Sequence, residues 1–424
     1  MKSLTKIFLV FLFISTCGFA QGLDISGYLK FFAHPNLNSP YKFDHLGTRL
    51  QTNFSYNLGD FADFRSTLDF NYEATKVPGL FNEARSKGMT IYPVEAYIDL
   101  YWDKLDLRIG KQFIFWGKTD WINPTDNLNP WDYQNIGAEI EDYRIAVTAV
   151  KSNLYLGNYT IEGIWLLHFL PDKIPNGIPD KMGSLNVNML PAELPQNKLG
   201  NTEFAFKISS EIANIDYSLS FFHGFDKNPT YIFNFAPAPN PHLEYQQKYL
   251  PVNILGGDFI TTFHKFAFKG EAAYYFTKDK NGDNIFIENP HLKYVLGVDY
   301  NFTGKLKFSL QFIQDILFKY DPAKEKEGWE KLHNPFPDIK SKSASSLSTV
   351  VNYSIGDFTS FQLIGVLNFK NLDYFILPIL NYGLADGLNI YAGATLFGGP
   401  SKSPFGRSKK GKRAFLEIKY SFTL

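Results

Sequence analysis

Between positions 116 and 142 the chain sets one base, Lys118, against six acids: Asp120, Asp126, Asp132, Glu139, Glu141 and Asp142. Carboxylates at this density can hold cations or project a negative field. A calcium loop is one reading, because hard oxygen donors abound, but the spacing is not that of a calcium-binding loop. The pairs Asn123-Pro124 and Asn129-Pro130 account for much of the polarity as turn formers. Opposite charge sits on Arg49, Arg65, Arg108 and Arg144. Facing each other across a passage, an acidic loop and an arginine wall would set up a transverse field that orients dipolar solutes and rejects apolar ones. The plainer reading makes them ordinary solvated charges of a polar surface. Trp116, Trp121 and Trp131 place three of the six tryptophans in the same stretch. Ring faces along a pore can guide sugars, but anchoring the loop to a wall is the preferred role.

Other chemistry is not encoded locally. The eight histidines lack metal-ligand spacing, and no nucleophile elbow, zinc-protease motif, phosphate loop or dinucleotide fingerprint occurs. No catalytic residue, metal ligand or cofactor is therefore expected. The balance of 42 basic against 42 acidic residues gives no footprint for gripping nucleic acid. An aromatic share of 17% excludes a disordered chain, and a single cysteine excludes a disulfide framework.

The elements that must position the charged residues are strands. From Leu46 to Leu58, apolar or threonine positions alternate with Arg49, Gln51, Asn53, Ser55 and Asn57, a period of two with no helical component. The pattern recurs around Phe64 to Tyr72, with Arg65 on the polar face. It returns in Leu105 to Phe115, with Arg108 on the polar face and Lys111 breaking the apolar one. Phe266, Phe268, Ala272, Tyr274 and Phe276 oppose Lys269 and Glu271, and Leu416 to Leu424 closes the chain in the same style. A soluble sandwich also alternates. Two features favour a membrane barrel. Many patterned runs approach ten residues, the length of a tilted strand crossing a bilayer. Short turns such as Asp103-Lys104, Ala213-Asn214 and His264-Lys265 also alternate with long loops near 73–90, 116–142, 168–201, 224–250, 277–291, 319–344 and 398–413, with one shorter member near 368–373. The expectation is an all-β, transmembrane, antiparallel up-and-down β-barrel of about 18 strands, 16 being the lower bound, with short periplasmic turns and long external loops. Tyr56, Tyr72, Trp102, Tyr274 and Tyr300 fall near strand ends, where amphipathic rings suit a bilayer interface.

Residues 1–20 read as a cleaved signal peptide: Lys2 and Lys6, an apolar run from Ile7 to Ile14, and Gly18-Phe19-Ala20 before the cut. Cys17 leaves with it. Residues 21–424 then form a single barrel domain whose third loop, at about 116–142, folds inward.

The stretch LRIGKQFIFWGKTDWINPTDNLNPWD, from Leu107 to Asp132, carries Arg108, Gly110, Gln112, Trp116 and Gly117 in the order R-x-G-x-Q-x-x-x-W-G. In this it resembles the porin-like outer-membrane β-barrels related to alginate-export channels and their uncharacterised relatives. Asp120 and Asn123-Pro124-Thr125-Asp126 add to the likeness, which spans about 25 residues; elsewhere it is architectural. The resemblance implies a channel of the bacterial outer membrane. The expected function is passive diffusion of small hydrophilic solutes, saccharides or organic anions, with no enzymatic step. The rival readings are a channel for hydrophobic substrates and a surface adhesion or structural barrel. The partners expected are outer-membrane lipids and lipopolysaccharide, the solutes, the barrel-assembly machinery and, in an oligomer, two further copies forming a homotrimer. The basic last loop, with Lys402, Arg407, Lys409, Lys410, Lys412 and Arg413, would meet lipopolysaccharide.

Overall fold

The computed structural model describes residues 22–39, 41–76, 88–134, 139, 143–174, 181–182, 185–236, 240–331, 341–401 and 403–424. The leader 1–20 with Cys17, the acids Glu141 and Asp142, and Lys402 lie outside the described residues.

Among the described residues, eighteen antiparallel strands form one sheet that closes on itself. The first, Leu23–Pro35, pairs with Phe43–Asn57 on one side and with the last, Arg413–Thr423, on the other, running from Ser26 opposite Thr423 to Ala33 opposite Leu416. Closure leaves no open edge, so every strand meets a backbone partner on both sides, as hydrocarbon demands. The two faces invert the pattern of a water-soluble protein. Leu29 and Phe31 are exposed while Lys30 is buried, Phe266 and Phe268 are exposed while Lys269 and Glu271 are buried, and Leu416 and Ile418 are exposed around buried Glu417. An apolar exterior over a charged interior is what a barrel in lipid requires.

Tight turns join the strands at one end. At Ala213-Asn214 both residues take positive φ, 49° and 67°, a hairpin conformation that matches the right-handed twist of the flanking strands. Connections at the other end are longer, the four-residue 369–372 excepted, and several carry secondary structure of their own. In 167–202 and 226–250, Leu185–Met189 runs parallel to His242–Lys248, which pairs in turn with Thr230–Ala236. Tyr231 and Phe233 pack on Tyr245 across that pair, so ring contacts hold the small sheet together. The connection after the strand Leu306–Leu317 carries a helix, Pro322–Lys331, whose start is capped by Asp321 accepting from Ala323 N at 2.9 Å.

Candidate functional site

The strand Leu105–Gln112 ends four residues before Trp116, so the third long connection spans 113–146 rather than 116–142. The cause is local. The next two backbone N–H groups are taken by side chains, Phe113 donating to Glu95 at 2.9 Å and Ile114 to Asn129 at 2.7 Å, which stops the ladder. Asn129 also donates to Ile145 O at 2.8 Å, tying the outgoing and returning limbs together.

The residues of the R-x-G-x-Q-x-x-x-W-G run are the joints between wall and connection. Arg108 forks onto Asp99 of the neighbouring strand at 2.6 and 2.9 Å and covers the Tyr97 ring at 4.1 Å. Gly110 has φ of +135°, and a Cβ there would lie 2.2 Å from Ala96 O, so the backbones approach as only glycine allows. Fully buried Gln112 donates to Ala149 O at 3.1 Å. Trp116 turns its indole N–H to Glu162 on the strand Tyr159–Leu166, and the other oxygen of Glu162 meets Lys151 at 2.8 Å. Ile114, Trp116 and Leu128 pack there against Val147, Ile164, Phe222 and Ile254 of the barrel.

Just beyond Trp116 several groups of the connection converge on one wall carboxylate. Glu271, on the strand Phe266–Phe276, accepts at Oε1 from Lys118 N at 2.5 Å and Thr119 N at 2.6 Å, and at Oε2 from the Thr125 hydroxyl at 2.9 Å. Asn123 Nδ2 and Thr125 N lie at 3.2 and 3.4 Å. Asp120 binds the next part of the wall, meeting Lys269 at 2.8 Å, Ser309 at 2.6 Å and Gln311 at 2.8 Å. Trp121 packs on another part of the ring, against the cluster of Val350, Ile364, Phe375 and Phe415. Glu139 meets Lys30 at 2.9 Å and Lys419 at 2.5 Å beside the barrel closure.

The loop acids are thus met mainly by lysines. Asp132 pairs with Lys173 at 2.9 Å. Of the four arginines named from the sequence, Arg144 belongs to the connection itself, pairs with Asp126 and covers the Trp131 ring at 4.1 Å. Arg49 binds Asp69 at 2.7 Å on the adjacent strand, and Arg108 binds Asp99, so both are matched within the wall. Arg65 is exposed, opposite Ser55 and Tyr97 in register. Glu271, Lys269 and Glu162 were not singled out from the sequence. The alternation does put Lys269 and Glu271 on the polar face of an otherwise aromatic strand, which is the available signal.

A cavity of about 200 Å³ opens beside the connection, lined by Asp126, Trp131, Asp172, Asp226, Lys227 and His291 among others. Burial pushes the Asp126 carboxyl up despite Arg144 beside it. Asp172 is pushed up to about 6 by burial, opposed by the Trp131 N–H and Lys227. Asp226 is also pushed up to about 6, by burial first and by the Glu288 charge second. The site can therefore carry opposed charges at neutral pH and shed negative charge on mild acidification.

A closed barrel of eighteen strands, apolar outside and charged within, has the fold of outer-membrane channels. The chain belongs to the family described as protein of unknown function (DUF1302), whose model matches residues 33–287, more than half its length. Among solved structures it is similar to OccK8 (OprE) of Pseudomonas aeruginosa, at 10% identity over 96% of this chain and 99% of that one, with a TM-score of 0.55. OpdK of Pseudomonas aeruginosa, solved with vanillate, gives 8% identity, 96% and 100% coverage and a TM-score of 0.57. OccAB4 of Acinetobacter baumannii gives 12%, 95%, 99% and 0.56. At these identities the likeness is one of fold. No curated relative matches the chain.

Proposed function

We propose that the protein is an outer-membrane channel for passive diffusion of small hydrophilic solutes, with the connection 113–146 folded inward as its constriction. The observation that carries this reading is the set of contacts that ties one connection to well-separated parts of the ring: Glu162 and Glu271, then the cluster around Phe375, then Lys30 and Lys419. A segment bonded to so many strands on their charged face narrows the passage they enclose. Charges on that face that keep contact with solvent, Asp299 at 37% and Lys293 at 34% side-chain exposure, favour hydrophilic over apolar cargo, because an apolar solute passing them would strip their water. Lys293 at the cavity, 3.8 Å from its nearest acid Asp315 and 34% exposed, suits organic anions as a solute class, and the Trp121 and Trp131 rings suit planar or saccharide faces. Kinship with alginate-export channels rests on the R-x-G-x-Q-x-x-x-W-G run, whose residues join wall to constriction here.

On this reading the barrel is inserted by the assembly machinery, and exposed Lys409 and Lys410 face lipopolysaccharide outside the cell. No bond-making step is part of it. The test is deletion of Thr119 to Asp132 with a short glycine-serine bridge, followed by single-channel recording in planar bilayers. Conductance rises severalfold if this segment constricts the pore; an unchanged conductance sinks the proposal.

A further inference from the structure

Glu288, His291 and Asp315 converge beside the cavity, each offering a ligand atom within 4.8 Å of the others. Glu288 comes from the long connection 277–290, His291 opens the strand His291–Thr303, and Asp315 stands on the neighbouring strand, where it pairs in register with Lys293. The His291 side chain is 97% buried by virtue of a residual exposure of 3%, and its ring lies flat against Tyr275, with centroids 4.3 Å apart and planes 11° from parallel. Nδ1 lies 3.1 Å from Asn289 O, which makes it the N–H donor and leaves the Nε2 lone pair free. The ring faces the cavity that Glu288 also lines. Asp315 is divided in a similar way: Oδ2 lies 3.8 Å from Lys293 Nζ, while Oδ1 is buried with no hydrogen-bond partner. A buried carboxylate oxygen without a partner, in the same cluster as a buried imidazole with a free lone pair, leaves polar capacity that a cation satisfies.

We propose that these three residues form a site for a divalent first-row transition ion of the zinc class. One imidazole nitrogen with two carboxylate oxygens suits Zn²⁺, whereas Ca²⁺ and Mg²⁺ prefer oxygen alone. Three protein ligands leave a coordination position open toward the cavity, available to water or an anionic solute. The site also touches the constriction. Tyr275, stacked on the His291 ring, donates its hydroxyl to Pro124 O at 2.8 Å, so an ion that fixes His291 steadies the connection through Tyr275. That coupling rests on the channel reading; the ion site itself does not.

The experiment separates the two. Full-length protein, folded in detergent and carrying no polyhistidine tag, is titrated with Zn²⁺ by calorimetry, with Mg²⁺ and Ca²⁺ as comparisons, and with folding of each variant checked by its heat-modifiable gel mobility. One Zn²⁺ per chain is expected, with affinity lowered at least tenfold in His291→Ala and in Glu288→Gln and no comparable heat with Mg²⁺. Glu288 is exposed, so its variant keeps the test decisive if His291→Ala fails to fold. Absence of Zn²⁺ binding, or an affinity unchanged in Glu288→Gln, overturns the site. Zn²⁺ binding that survives as expected but leaves single-channel current untouched overturns only the coupling to the constriction.

Discussion

Replacing Glu271 by glutamine tests how the connection is held, because the side chain keeps its size and loses its charge. The carboxylate now receives backbone N–H groups from Lys118 and Thr119 on one oxygen and the Thr125 hydroxyl on the other. An amide must choose. Its NH₂ cannot face the two backbone N–H groups, which have no freedom to turn, so the amide oxygen stays with them and the NH₂ faces Thr125. There the hydroxyl can rotate to accept, but Thr125 N, at 3.4 Å, loses its acceptor. Hydrogen bonds to a charged partner contribute roughly 1 kcal/mol more than neutral ones, so loss of charge on three short bonds costs the docked state about 3 kcal/mol. That corresponds to a shift on the order of 100-fold in the docking equilibrium. The barrel strands keep their ladders, so folding should be retained by heat-modifiable mobility. Planar-bilayer recording should then show brief excursions to a larger conductance that the parent lacks. A folded variant with the conductance and current noise of the parent would refute the idea that this one carboxylate clamps the connection.

Further perturbations bear on neighbouring features. Gly117 has φ of +90°, and a Cβ there would meet Glu271 Oε1 at 2.5 Å, so Gly117→Ala should mimic the glutamine variant in current noise; a quiet channel counts against the clamp geometry. Between pH 7 and pH 5, Asp126, Asp172 and Asp226, each with a pKa of about 6, pass from mostly ionised to mostly neutral, removing most of three negative charges from a cavity that retains Lys227 and Lys293. Because protonation removes negative charge, the reversal potential in a salt gradient should move toward anion selectivity as pH falls. Asn at both Asp172 and Asp226 should flatten most of that change, leaving the share carried by Asp126, and a slope equal to the parent's refutes the assignment. Neutralising Arg108 and Arg144 together to glutamine removes two positive charges and leaves Asp99 unmatched, and should shift the reversal potential toward cations; no shift removes them from ion selection.

What the sequence makes legible follows from the kind of constraint each feature obeys. A strand shows its two faces to two solvents, so alternation at Leu46 to Leu58 or Phe266 to Phe276 is written residue by residue, and the alternation of short and long connections sets the strand count and the ends. Register and height obey a different constraint, since they depend on pairs far apart in the chain. Period puts Arg49 and Arg108 on the polar face, yet it carries no information on their partners Asp69 and Asp99, which sit 20 and 9 residues away and are chosen by how adjacent strands align. The clamp on Glu271 joins residues 146 to 153 apart, a separation at which no local pattern can speak. One trace of the inward connection was nevertheless present. Phe221 and Phe222 are consecutive, one exposed and one 2% exposed, and Val252, Ile254 and Leu255 likewise place apolar side chains on both faces of one strand. In a barrel that is wet inside, an apolar residue on the inner face needs a cover. Such residues therefore mark where something folds in, and Ile114, Trp116 and Leu128 are what covers Phe222, Val252 and Ile254. Two-faced apolar strands interrupting an otherwise strict alternation thus predict, from sequence, the arc of wall against which a long connection packs, even where its hydrogen bonds are out of reach.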